Sequence, residues 1–303
     1  MTRHTNPGVT ADLIAVIVAV TDDQPRVLTL LGNALPAGPF ISEHRSLQAG
    51  VRSWVEQQTH HPLGYVEQLY TFADRGRAAA EPGHHFISVS YLGLTREAAR
   101  PDAAGWRGWY EYFPWEDRRA HASVDGTILA QLVTWKQAAA GEEFQDRERR
   151  IAVNFGGLAW NDELVLQRYE LLHEAGLVAE AATGAEAILP GLTMVNDHRR
   201  ILATGIARLR AKIKYRPVVF ELMPDAFTLL QLQRTMEALA GQLLHKPNFR
   251  RLIEQQALVE ETGEMTAGTG GRPAKLFRFR RDVLLERSVA GTKLPVARTG
   301  SLS

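Results

Sequence analysis

Residues 227–279 limit the fold of this chain more strongly than any other stretch, because they combine two short helical patterns, a tight turn and a basic hairpin. Thr228 and Gln231 have the spacing of a capping box, in which each side chain satisfies a free backbone N–H group at the helix start. Apolar residues then recur at helical spacing up to Gly241, a residue type that often ends a helix. A second helix is predicted from Lys246, since the proline that follows it is tolerated in a first turn.

The second predicted helix has one apolar face and one polar face. At about 100° per residue, Phe249 and Ile253 share the side that would be buried, and arginine and asparagine side chains turn outward. Arginine can bond guanine through two contacts and asparagine can do the same with adenine, while a lysine at the positive end of a helix suits a phosphate. The residues of this helical pair that we predict to contact DNA are Thr228, Lys246, Asn248, Arg250 and Arg251.

A strand-like hairpin follows the second helix. Its second strand, 275–280, alternates apolar and basic residues, and a glycine-rich tip at 268–273 precedes it. The tip lacks the GxxxxGK spacing of a nucleotide-binding loop, and a strand rather than a helix comes after it. Arg272 at the tip is predicted to approach a phosphate or a narrow minor groove, with Lys275 beside it. Two helices and a basic wing predict a winged helix-turn-helix DNA-binding domain over residues 216–287.

Charge is divided unevenly along the chain, although the net charge is only +1. Residues 196–303 contain 19 Lys and Arg against 10 Asp and Glu, whereas residues 1–195 contain 16 against 24. A basic C-terminal third suits a module that binds a polyanion, joined to a more acidic sensor or enzyme domain.

Composition excludes other classes. The chain has no cysteine, so it has neither disulfides nor a thiolate metal site. The apolar run at 13–20 is far shorter than the roughly 20 residues that span a bilayer, and the N-terminus has no signal-peptide pattern. We therefore predict a cytoplasmic protein with no membrane partner, a disordered leader at 1–9 and a flexible tail at 288–303.

The N-terminal part alternates strands with one amphipathic helix. The predicted elements are strands at 11–20 and 26–31, a helix at 46–59, and strands at 65–72 and 86–94. Together with the LPAG sequence at 35–38, these segments resemble a Nudix fold, in which LPGG usually stands before the Nudix box. The resemblance implies an α/β/α sandwich with a mixed sheet, and the whole chain is then predicted to be of the α+β class.

The Nudix box itself departs from the family pattern. Gln57 and Gln58 stand where the paired metal-binding glutamates belong, and His60 replaces the usual glycine. Residues 53–55, Ser-Trp-Val, stand where Arg-Glu-Leu is expected. A neutral amide is a poor substitute for a carboxylate on magnesium, and Glu56 alone does not rebuild the cluster. We therefore predict that the chain is not an enzyme: it has no catalytic residues, no metal site and no cofactor.

The two halves together resemble the Nudix-related transcriptional regulators, the NrtR family. The strongest part of the resemblance is C-terminal, in segments that keep the family's order and spacing at 208–220, 222–228, 248–251, 260–263 and 271–275. The resemblance implies a homodimeric repressor on a palindromic operator in double-stranded DNA, which controls genes of NAD biosynthesis or salvage. It also implies a small-molecule nucleotide effector, ADP-ribose or a related compound. We predict that the effector is bound by Arg52, Gln57, Gln58, Asp74 and Arg77.

Residues 106–195 depart from the family, which crosses this region with a much shorter connection. The resulting division is an effector-binding Nudix-like domain at 10–215, a largely helical insertion at 106–195 within it, and the DNA-binding domain. Six aromatic residues crowd into 106–115. They either form the core of a helical insertion or dimer interface, or line a remodelled effector pocket, since aromatic rings stack on adenine.

Three further alternatives stay open at this point. The basic residues of a predicted helix at 198–214, namely Arg208, Arg210, Lys212 and Lys214, either touch DNA phosphates or lie on a solvated face. The chain could also be an active nucleotide pyrophosphohydrolase with a basic accessory domain. Finally, a regulator of the same architecture could respond to a sugar or another metabolite.

Overall fold

The computed structural model describes residues 9–61, 63–73, 85–97, 104–120, 124–156, 160–181, 189–266 and 273–280. The chain divides into two compact units. The larger unit comprises residues 1–223 and 233–244, and the smaller unit comprises residues 224–232 and 245–303. Most of the predicted leader at 1–9 and the whole predicted tail at 288–303 lie outside the described residues.

A mixed β-sheet forms the centre of the larger unit. Its path from edge to edge is β4 (Tyr65–Phe72), β5 (His85–Leu94), β1 (Val9–Thr21), β2 (Gln24–Leu30) and β6 (Ala104–Gly108), and β3 (Ala37–Pro39) also pairs with β1. The pair β1 and β5 is parallel, whereas the other pairs are antiparallel. β1 is buried on both faces, which explains its continuous apolar sequence.

Helices cover both faces of this sheet. On one face, Val51 and Val55 of α1 (Leu47–Thr59) join a core with alternate residues of β1. On the other face, α6 (His198–Ile213) approaches β1 so closely that a Cβ atom on Gly205 would lie 2.9 Å from Val16 Cγ1. The α/β/α arrangement that the resemblance implies is therefore present.

Short helices make up most of the segment between β6 and α6. They are α2 (Trp109–Tyr112), a 3-10 turn (Pro114–Glu116), α3 (Val124–Gln137), α4 (Gly141–Asn154) and α5 (Val165–Glu174). The first residues of the predicted insertion belong instead to β6, which pairs with β2 in the main sheet. Among the described residues of this segment, Trp109, Tyr112, Phe113 and Trp115 have no exposed surface. These four aromatic residues are therefore core, and their rings are not open to stack on a ligand.

The smaller unit has the elements of a winged helix-turn-helix. The helix α7 (Leu229–Ala240) begins in it, and α8 (Lys246–Gln256), β7 (Val259–Met265) and β8 (Lys275–Phe279) follow. The predicted capping box is present, because Thr228 Oγ1 accepts a 3.1 Å bond from the Gln231 amide and Gln231 Oε1 accepts one of 2.7 Å from the Thr228 amide. Phe227 exchanges two backbone hydrogen bonds with Phe277 and so adds a one-residue third strand to the hairpin.

None of the helices in the described ranges is long and apolar enough to cross a membrane.

Candidate DNA-binding surface and candidate effector site

The helix α8 presents a polar face to solvent. Phe249 and Ile253 are buried, whereas all four predicted DNA-contacting residues of this helix are exposed: Lys246, Asn248, Arg250 and Arg251. No side chain of the described residues caps its N-terminus, so first-turn N–H groups remain available to an anion such as a phosphate. Leu252 of the same helix is 45% exposed.

Thr228 and the wing residues are placed differently from α8. Thr228 is nearly buried and its hydroxyl caps α7, so it positions that helix rather than projecting from it. Lys275 Nζ lies 2.8 Å from Glu261 Oε1 across the exposed hairpin. Exposed ion pairs contribute little stability, so this lysine can exchange its carboxylate for a phosphate at low cost. Arg272 lies outside the described residues.

Two of the predicted effector residues tie α1 to neighbouring backbone. Gln58 accepts a 3.1 Å hydrogen bond from the Ala37 amide and donates one of 2.7 Å to the Ala37 carbonyl oxygen, which fixes α1 to β3. Arg52 donates to the carbonyl oxygens of Leu63 and Gly64. Gln57 is the exposed member of this group and bonds only Ser53 within the described residues. Asp74 and Arg77 lie outside the described residues.

An indole ring occupies the place where the family pattern has a glutamate. Trp54 lies so close to Gly38 that a Cβ atom there would be 2.4 Å from the ring, and its Nε1 donates a 2.9 Å bond to the Pro39 carbonyl oxygen. His60, aligned with the usual glycine, caps α1 in the left-handed region at φ 51°, the conformation for which glycine is preferred. The described residues contain no group of three or more His, Asp or Glu residues that could hold a metal ion.

The basic side chains of α6 mostly pair within the larger unit. Arg208 and Lys212 both lie against Glu67, and Lys214 Nζ is 2.6 Å from Asp162 Oδ1. Arg210 is fully buried, so neither alternative drawn from the sequence holds for it. It belongs to an ionic network inside the protein.

This network is centred on Glu116, a fully buried carboxylate. Arg168 binds both of its oxygens at 2.5 and 2.8 Å, and Arg210 Nη1 lies 2.6 Å from Oε2. Burial alone would lower the pKa of Arg210, but the charges and hydrogen bonds of Tyr110 and Glu116 outweigh it and raise the pKa. Sequence reasoning missed Glu116, because its partners follow 52 and 94 residues later and no local pattern joins them.

The start of α6 contacts the LPAG segment. His198 Nδ1 accepts a 2.9 Å hydrogen bond from the Leu35 amide, so that nitrogen carries no proton. Burial lowers the pKa of His198 to about 4, and the imidazole is neutral at physiological pH. A single helix therefore connects the LPAG segment at its first residue with the Glu116 network near its last turn.

The chain resembles known regulators and Nudix proteins. Residues 219–279 match the family model of the NrtR DNA-binding winged helix domain. The chain is 40% identical over 88 residues to the ADPR responsive transcriptional repressor NtrR of Acinetobacter baylyi, a match that covers 29% of this chain and 35% of that protein. Shewanella oneidensis NrtR, in a crystal structure with a 27mer DNA, is similar with a TM-score of 0.55 and 22% identity over 90% of this chain and 94% of that one. A MutT/nudix family protein from Enterococcus faecalis has a TM-score of 0.52 and 17% identity, covering 90% of this chain and 87% of its own.

These similarities define a Nudix-like α+β fold combined with a winged helix domain, and they confirm the predicted fold class. The winged helix domain is of the NrtR type, so the resemblance to the NrtR regulators is also confirmed. The chain spans about a third of the length of the curated relative that it matches.

The buried neutral His198 makes stability dependent on pH. Its pKa is about 4 in the folded chain against an ordinary 6.5, so its contribution is complete above pH 6.5 and is lost progressively as the pH falls towards 4. We expect the free energy of unfolding to drop by about 3 kcal/mol more in the wild type than in His198→Asn between pH 7 and 4, measured by urea denaturation. His60→Asn, which replaces an exposed imidazole, is measured in parallel as the control for the substitution. Equal pH profiles for wild type and His198→Asn would contradict the assignment.

Proposed function

We propose that this chain is a transcriptional repressor that binds double-stranded DNA and is released by ADP-ribose or a related nucleotide. The observation that carries the proposal is the exposed Asn and Arg face of α8 within a segment that matches an NrtR DNA-binding domain. The Acinetobacter relative is an ADPR responsive repressor by name, which supports the same effector here. We further propose that it acts in the cytoplasm as a homodimer on a palindromic operator, beside genes of NAD biosynthesis or salvage.

We assign DNA contacts from the placement of the described side chains and, for Arg272, from the sequence pattern alone. Asn248, Arg250 and Arg251 read base edges from α8, because arginine and asparagine can each make two bonds to one base. Lys246, Arg272 and Lys275 bind phosphates, and Thr228 positions α7 through its cap. In the proposed division, residues 10–215 bind the effector and 216–287 bind DNA.

The proposed effector site uses the outer end of α1 and the segment that follows β4 in the sequence. Gln57, Asp74 and Arg77 contact the nucleotide in this proposal, whereas Arg52 and Gln58 hold the walls through their bonds to Leu63 and Ala37. A ligand can release DNA only if it binds better to the arrangement that does not bind DNA. Each 1.4 kcal/mol of that preference changes DNA affinity by about tenfold.

We also propose that the Nudix-like domain does not hydrolyse its ligand. Magnesium takes oxygen ligands, with carboxylates as the usual protein donors, and the segment provides the amides of Gln57 and Gln58 and the indole of Trp54 instead. Gln58 is committed to the Ala37 backbone through both ends of its amide. A glutamate at position 58 could not donate the hydrogen bond that Gln58 Nε2 donates to the Ala37 carbonyl oxygen, and two oxygens would face each other instead. The amide of Gln58 therefore also has a structural role.

Replacing Arg251 should weaken binding to the operator more than binding to unrelated DNA. A base-contacting arginine contributes about 1–3 kcal/mol of discrimination, so Arg251→Ala should lose on the order of tenfold or more in operator affinity in a mobility-shift assay. Arg149→Ala is the control, because it removes the same charge from an exposed position on α4. Equal losses for the two variants would contradict the assignment of α8 as the recognition helix.

The absence of hydrolysis is tested with ADP-ribose and Mg²⁺. We expect no release of AMP above the blank, since the metal-binding carboxylates are missing. AMP release by the wild type that disappears in Glu56→Gln would contradict the proposal, because Glu56 is the one acidic residue of α1.

A further inference from the structure

The last turn of α7 is capped by groups from distant parts of the larger unit. A helix leaves its last four carbonyl groups without partners in the helix itself. Tyr110 Oη donates to the Ala238 carbonyl oxygen at 2.6 Å, and Arg210 Nε donates to that of Leu239 at 2.9 Å. The Arg118 amide donates to the Gly241 carbonyl oxygen at 2.7 Å. We call Tyr110, Arg118 and Arg210 the α7 cap.

The contact between Arg210 and the C-terminal end of α7 is electrostatically favourable. Two buried guanidinium groups share the single carboxylate of Glu116, so the network carries an excess positive charge. The C-terminal end of a helix carries the equivalent of about half a negative charge, and Arg210 lies against that end of α7. The Trp160 ring, with its centroid 3.8 Å from the Arg168 guanidinium carbon, stabilises the other arginine.

The close approach of the backbones requires a glycine. Gly241 has φ +69°, and a Cβ atom on it would lie 2.3 Å from the Glu116 carbonyl oxygen and 2.8 Å from the Tyr110 hydroxyl. Any other residue at this position therefore has to push the α7 cap apart. Gly241, which follows the last residue of α7, therefore packs directly against the backbone of Glu116.

The cap and the LPAG segment are joined by one helix. His198 at the start of α6 bonds the Leu35 amide, and Arg210 lies in its last turn. These two residues are 12 positions apart, which is about 18 Å at the rise of an α-helix. A continuous helix of this kind is a physical connection along which a change at one end can reach the other.

We propose that the α7 cap is the element through which effector binding changes DNA affinity. Tyr110, Arg118 and Arg210 are positioning residues for α7, the first helix of the winged helix domain. Gln58, a wall residue of the proposed effector site, bonds Ala37 two positions from Leu35, so ligand binding at that site acts on the cap through Leu35, His198 and α6. This inference rests on the proposed function. It gives the segment around Tyr110 and Glu116, which lies between β6 and α6, a regulatory role in addition to its packing in the aromatic core.

Tyr110→Phe tests the cap with a matched control. The change keeps the ring and removes the bond to the Ala238 carbonyl oxygen, together with the 3.2 Å bond that Tyr110 Oη accepts from Arg210 Nη2. Tyr112→Phe, on the same short helix, removes an equally long 2.6 Å bond to the Gly32 carbonyl oxygen and leaves α7 untouched. The measured quantity is the ratio of operator dissociation constants with and without saturating ADP-ribose. We expect this ratio to fall about fivefold or more towards one in Tyr110→Phe and to keep its wild-type value in Tyr112→Phe.

Gly241→Ala tests the same contact from the other side. Gly176→Ala is its control, because Gly176 has a similar φ of +71° but nothing within 4 Å of the added carbon. Both changes strain the backbone, and only the first forces the cap open. Gly241→Ala should therefore lower the ratio and Gly176→Ala should not.

Amide hydrogen exchange of residues 239–244 is measured on all four variants without ligand. Faster exchange and a lower ratio in Tyr110→Phe and Gly241→Ala, with neither change in the controls, would support the inference. If the wild-type ratio is above one and all four variants keep it, or all four lower it equally, the role of the α7 cap is overturned. The proposed function is left intact by that result. A wild-type ratio of one would refute the effector response itself, and with it the role of the cap.

Discussion

The ion pairs between the buried carboxylate of Glu116 and two arginines, Arg168 and Arg210, fix the relative positions of several elements in the larger unit. Removing charges from water costs several kcal/mol for each ion, and a network of this kind is favourable only when its geometry satisfies every group. Arg168 and Arg210 meet the carboxylate on one side, and backbone carbonyl oxygens meet the arginines on the other. The 3-10 turn, α5 and α6 must therefore be placed together, since displacing any one of them leaves a buried charge unpaired. Displacing the end of α7 leaves Arg210 Nε without its acceptor.

The segment that resembles a Nudix box has kept its helix while its polar side chains have structural partners. Gln58 fixes α1 to β3, Arg52 fixes it to the Leu63 and Gly64 backbone, and Trp54 covers Gly38. Each contact stabilises the packing of α1. In the proposed function, a domain of this kind gains ligand binding that is not followed by hydrolysis, so the ligand stays intact as a signal.

Features encoded by neighbouring residues were predicted well from the sequence. The capping box at Thr228 and Gln231, the strand at 65–72 and the exposed face of α8 all depend on spacing within a few residues. The bonds of Gln58 and the burial of Arg210 were not predictable in this way. Both depend on partners that the fold brings together from distant positions, and a basic residue on a helix has the same local pattern whether it faces solvent or a buried glutamate.

We claim that nucleotide binding and DNA binding are linked within one chain, and the thermodynamic reciprocity of that linkage provides the test. If ADP-ribose weakens operator binding by a given factor, the operator must weaken ADP-ribose binding by the same factor. Calorimetric titration of ADP-ribose into the free protein and into its operator complex measures this. We predict a dissociation constant at least fivefold higher in the complex, at the lower end of typical coupling. Equal dissociation constants, with DNA still bound, would contradict the claim.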